Sequence, residues 1–195
     1  ALMDLGDPVE RLALNQEYVR LARQLGDVTE CMRGYMRSAV DAMELADAAI
    51  LDEAIEQCES VAGQLRLPHY QWTSAALVAM RATTRGDFAQ AEAALARARH
   101  FAERAQDTNA GFTLLVQQFE LAGITGDNER LADLFAQLER QCANLPHADL
   151  YLKPNLLATA VTSLGRAPDP GAIDEDYLRQ IIRFSDMGAL SSVGE

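Results

Sequence analysis

The sequence predicts an all-α protein, a stack of antiparallel helix hairpins recurring about every forty residues. Three observations carry that expectation. Four segments align under one another without gaps at that spacing: Cys31 to Asp47, Gln71 to Asp87, Gly111 to Asp127 and Tyr151 to Ala167. Between them a second set aligns in the same way: Arg11 to Asp27, Leu51 to Leu67, Ala91 to Asp107, Leu131 to His147 and, more loosely, Gly171 to Met187. No stretch alternates β-branched with polar residues or carries an Asn-Gly turn, so nothing reads as a strand.

The first set, the A helices, has large apolar residues in the column Met32, Trp72, Phe112, Leu152 and one turn later in Met36, Ala76, Val116, Leu156. Such a stripe belongs on a buried helix face. A third column, Ala42, Ala82, Ala122, Thr162, is small enough to let two helices approach closely. The second set, the B helices, repeats small and apolar positions three residues apart, in Ala22, Ala62, Ala102, Cys142, Ile182 and in Leu25, Leu65, Ala105, Leu145. Each B helix is expected to face its A partner.

The punctuation agrees. Gly26-Asp27, Gly86-Asp87 and Gly126-Asp127 each join a left-handed helix stop to a residue that caps the next helix. Pro68 and Pro146 fall where the chain restarts and a backbone N–H is dispensable. The expected organisation is one helical-repeat domain over 1–187, with a helix at 8–26 and hairpins at 28–67, 68–107, 108–147 and 148–187. The linker-like stretch from Gly165 to Gly171 makes the last hairpin the least regular, and 188–195 reads as a fraying tail. The opening Ala-Leu-Met-Asp-Leu-Gly-Asp reads as the last turn of a helix, as expected of an excerpt from a larger protein.

Composition narrows the function. With 29 acidic against 17 basic residues and a net charge of −12, the surface repels nucleic-acid phosphate and anionic lipid. No apolar run is long enough for a membrane span. Cys31, Cys58 and Cys142 are far apart on apolar helical positions, as expected of reduced, buried thiols in a cytoplasmic protein. Lys153 is the only lysine among many arginines in an alanine-rich chain, a bias that suggests a bacterial source with a GC-rich genome.

Helix pairs with small alanines at fixed steps and the turn Gly86-Asp87-Phe88-Ala89-Gln90-Ala91-Glu92 resemble tetratricopeptide repeats, although the period is longer than their usual thirty-four. The longer hairpin resembles the C-terminal regions of bacterial ATPase-linked transcription regulators of the MalT-like kind, and of ATPase-linked cyclases and protein kinases. The best local match runs from Pro68-His69-Tyr70-Gln71-Trp72 through Arg81-Ala82 and the Gly86 turn to Asp107-Thr108-Asn109-Ala110, continuing at Gln118 and Gly126. It covers about a third of the chain, and beyond it only the period persists. Asn155, where an apolar residue is usual, and the final hairpin depart from the pattern. The resemblance implies a right-handed α-solenoid that presents a curved surface.

Motifs for chemistry are missing. The glycines stand singly, so there is neither a P-loop nor a dinucleotide fingerprint. His69, His100 and His147 lie in different repeats with no metal-ligand spacing, and no Ser or Cys nucleophile shares a motif with a base. No cofactor, metal site or catalytic residue is expected. Asp52-Glu53 and Asp174-Glu175-Asp176 read as favourable negative charge at the starts of B helices. Arg85-Gly86-Asp87 reads as a helix end rather than an adhesion signal, Trp72 as core, and Arg97, Arg99 and Arg104 as surface charge paired with Glu92 and Glu103 on their own helix.

In stacked hairpins the A helices line the concave face, so their polar columns are the candidate contacts. These are Arg33, Thr73, Thr113 and Lys153 in one column, Arg37 and Gln117 in another, with Arg81 and Gln118 nearby. Four cations there would suit an acidic peptide or a carboxylate-bearing effector. The function expected is therefore a non-catalytic protein-interaction or scaffold module of a larger bacterial signalling or transcription regulator. The alternative is a small-effector sensor in such a regulator, and self-association through the ends of the stack fits either.

Overall fold

The computed structural model describes residues 7–142, where every regular element is an α-helix. The helices are α1 (Pro8–Leu25), α2 (Val28–Glu44), α3 (Ala48–Leu65), α4 (Pro68–Arg85), α5 (Phe88–Ala105), α6 (Thr108–Thr125) and α7 (Asn128–Cys142). They fall into two compact bodies, α1 to α5 and α6 with α7. The last A helix, the last B helix and the tail lie outside the described residues.

Single aspartates make the tight turns. The carboxylates of Asp7, Asp27, Asp47, Asp87 and Asp127 accept from the amides of Val9, Glu30, Ile50, Gln90 and Arg130 at 2.9 to 3.1 Å, satisfying donors that a helix start leaves open. The backbone N–H of four of them also closes the preceding helix. Asp27, Asp47, Asp87 and Asp127 donate to the carbonyls of Ala22, Ala42, Ala82 and Ala122 at 2.9 to 3.0 Å. The residue between is left-handed: Gly26, Gly86 and Gly126 at φ 69, 76 and 74°, but Ala46 at φ 54°. Gln106 and Arg66 also turn left-handed without glycine. After Arg66, Leu67 supplies no side-chain cap, and Pro68 opens α4 at a position whose N–H would go unused.

In the first body each helix packs on its neighbour in sequence, and α4 also meets α2, so α4 is enclosed and every residue from Trp72 to Ala79 is buried. Much of the interior is alanine. Ala39, Ala42, Ala79, Ala82, Ala91, Ala94 and Ala98 are all at most 1% exposed, and their short side chains permit close helix approach. Met32, Cys58 and Leu95 fill the gaps. Between α1 and α2 the approach is closest at Gly34, where a Cβ would stand 2.3 Å from Val19 Cγ2. In the second body Leu115, Phe119 and Ala122 of α6 pack on Leu131, Leu134 and Leu138 of α7. Phe119 and Phe135 are 6.2 Å apart between ring centroids.

Two ion-pair clusters tie a B helix to the A helix that follows it. Arg11 of α1 meets Asp41 at 2.9 Å and Glu44 at 2.5 Å, both on α2. Asp52 of α3 meets Arg81 at 2.6 Å and also Arg85, both on α4. The second cluster corrects the reading of Asp52 as a charge at a helix start. Asp47 caps α3 and places Asp52 beyond the first turn, where its partners are the arginines of the next helix. Arg97 likewise reaches across to Glu59 of α3, at 4.0 Å, rather than pairing only along its own helix.

Candidate partner-binding surfaces

The sequence candidates divide between the two bodies. Arg33 and Arg37 are exposed on α2, and Arg33 is bonded to Glu30 one turn earlier at 2.8 Å. On α4, Thr73 is buried with its hydroxyl donating to the His69 carbonyl at 2.9 Å, and Arg81 is held by Asp52. Asp52 in turn stays well below the usual aspartate range, chiefly because Arg81 donates to it. Thr113, Gln117 and Gln118 belong to α6 in the other body, with Gln118 buried and the Gln117 carbonyl oxygen buried without a hydrogen-bond partner among the described residues. Lys153 lies outside the described residues. In the first body, then, Arg33 and Arg37 present exposed cations, while Thr73 and Arg81 are engaged within the fold.

Two clefts of the first body lie elsewhere, between consecutive B helices, each floored by an A helix. The larger, of about 470 Å³, is walled by α1 and α3 and floored by Tyr35 and Ser38 of α2. A smaller one of about 160 Å³ is walled by α3 and α5 and floored by Gln71, Ser74 and Ala75 of α4. The two share a register: Val19, Arg23, Tyr35 and Gln57 of the first stand where Glu59, Gly63, Ala75 and Arg97 stand in the second. In the larger cleft Arg23 donates through Nε to the Tyr35 hydroxyl at 2.8 Å, while Arg20 is doubly bonded to Glu17 at 2.6 Å. Column-by-column reading missed this cleft, because its lining mixes A and B columns that meet only after folding.

A third surface is apolar. Leu14, Leu21 and Leu25 of α1 are 68%, 45% and 83% exposed, and their spacings of 7 (21 − 14) and 4 (25 − 21) put them on one face.

No protein-family model matches the chain, and neither does a curated protein or a solved structure.

Other groups singled out by sequence have ordinary partners. His69 Nδ1 lies 2.9 Å from Asp107, tying the start of α4 to the residues after α5, and packs edge-on against Tyr70 and Trp72. Trp72 is buried, with no hydrogen-bond partner for its indole N–H among the described residues. Arg85-Gly86-Asp87 is a helix end, with Gly86 left-handed, Asp87 capping α5 and Arg85 on Asp52. Cys31 and Cys58 are buried free thiols, and burial pushes Cys58 up to about 12. Among the described residues no three His, Cys, Asp or Glu side chains group as a metal site requires, and no helix is long and apolar enough to cross a membrane.

Proposed function

We propose that the chain is a non-catalytic protein-interaction module, a tetratricopeptide-like right-handed solenoid of hairpins with a period of about forty residues, within a larger bacterial signalling or transcription regulator of the cytoplasm. The observation that carries this reading is the leucine face of α1. Three large apolar side chains exposed on one helix face are costly to leave in water and suit a partner protein or peptide. The exposed Arg37 of α2 adds a cation that would favour acidic groups on that partner, and Arg33, beside its Glu30 partner, could exchange that pairing for one with the partner.

The test is photo-crosslinking in cells that express the protein, with a benzophenone amino acid at Leu14 or Leu21 and, as control, at the exposed Ala93 of α5. The leucine positions should yield a discrete protein adduct, identifiable by mass spectrometry, that Leu25→Asp abolishes. Adducts no stronger than those at Ala93 would remove the reading. The larger cleft favours a second reading, a sensor for a small effector, since its volume falls in the range of small-molecule sites.

A further inference from the structure

The cleft between α1 and α3 combines opposite charges on its two walls with hydroxyls on its floor, and its polar groups are short of partners. On the α1 wall, Arg20 is neutralised by Glu17, whereas Arg23, whose guanidinium lies 5.5 Å from the Tyr35 ring centroid and donates through Nε to the Tyr35 hydroxyl, meets no carboxylate among the described residues. On the α3 wall, Glu53 has no cationic partner among the described residues. At the floor, the Tyr35 oxygen accepts from Arg23, which leaves its own proton to donate. One turn along α2, Ser38 is 6% exposed and lines the cleft, with no hydrogen-bond partner for its hydroxyl among the described residues. The Ser38 hydroxyl faces the cleft and is open to a ligand there.

We propose that this cleft binds a free amino acid with an apolar side chain, its carboxylate met by Arg23, Tyr35 and Ser38 and its ammonium by Glu53. Guanidinium and two hydroxyl donors match a carboxylate, and a carboxylate on the facing wall matches an ammonium. Val19, Ile50 and Ala54 supply the apolar part of the lining for the side chain. A ligand with one charge alone would leave either Arg23 or Glu53 uncompensated. The inference rests on the small-effector reading and narrows it to a zwitterion.

Calorimetric titration of the whole chain with leucine, methionine and phenylalanine, beside N-acetyl-leucine and leucinamide, tests it. At least one free amino acid should bind saturably. Its N-acetyl and amide derivatives should bind weaker by about tenfold or more, as should Ser38→Ala and Glu53→Gln proteins that melt as cooperatively as the parent. Equal binding of the N-acetyl derivative, with Glu53→Gln silent, would overturn the zwitterion and keep a carboxylate effector. No binding of the panel would overturn the amino-acid site, and a flat thermal-shift screen of wider metabolites would end the effector reading too.

Discussion

Gly34→Ala is the sharpest test of how closely α1 and α2 approach. The added Cβ would stand 2.3 Å from Val19 Cγ2 and 3.1 Å from Tyr18 Cδ1, and the first distance is far inside van der Waals contact. Val19 is buried and β-branched, with essentially one χ1 rotamer available in a helix, so it cannot swing clear. Overpacking of this kind costs about 1–3 kcal/mol. Replacing glycine inside a helix returns up to about 1 kcal/mol of propensity. The net expectation is a loss of about 0–3 kcal/mol. Gly63→Ala on α3 is the control, since a Cβ there meets nothing within 4 Å and the same propensity acts unopposed, giving a gain of up to about 1 kcal/mol. Urea unfolding followed by circular dichroism measures both, and the two variants should differ by about 1–3 kcal/mol. Val19→Ala in the Gly34→Ala background should recover part of the loss, as a favourable coupling in a double-mutant cycle. If Gly34→Ala stabilises as much as Gly63→Ala, the helices do not approach as described.

Ala46→Gly should stabilise by about 0.5–1 kcal/mol, because the left-handed Ala46 carries a cost that glycine lacks; a lower urea midpoint would contradict this. Asp52 gives its stability while ionised: its depressed pKa means the contribution is fully present above about pH 4 and is lost as pH falls through the lower folded value. Asp52→Asn should therefore lower the urea midpoint at pH 7 and narrow the gap between pH 7 and pH 3, whereas an unchanged gap would show that Arg81 does not hold it. Cys58 should resist iodoacetamide in the native protein at pH 8 and react once unfolded, read by peptide mass spectrometry, since burial keeps its thiol protonated. Native labelling at the denatured rate would place it at the surface.

The helical fold was legible because small and large apolar residues recur in columns and because aspartate and glycine mark chain reversals. Ala42, Ala82 and Ala122 do sit buried where helices close together. The turns at Ala46, Arg66 and Gln106 were not legible, since a left-handed residue other than glycine has no reliable local signature. Asp52 resembled a helix-start charge because nothing nearby in sequence reveals Arg81, a partner 29 residues away. Individual polar columns were readable, but whether an arginine on them is spent inside the fold, like Arg81, or exposed, like Arg37, depends on the neighbouring helix. The cleft stayed hidden for the same reason, since three helices must be placed before Arg23, Ser38 and Glu53 share a space.

The double duty of the turn aspartates has a consequence for how the chain comes apart. Because Asp27 completes α1 with its amide and begins α2 with its carboxylate, displacing this one residue loosens both ends. Asp47 and Asp87 impose the same bond on their helices. Thermal opening in the first body should thus couple α1 with α2, α2 with α3 and α4 with α5, with amide exchange matching on both sides of each aspartate, while the α3–α4 turn, where Leu67 supplies no side-chain cap, breaks the series.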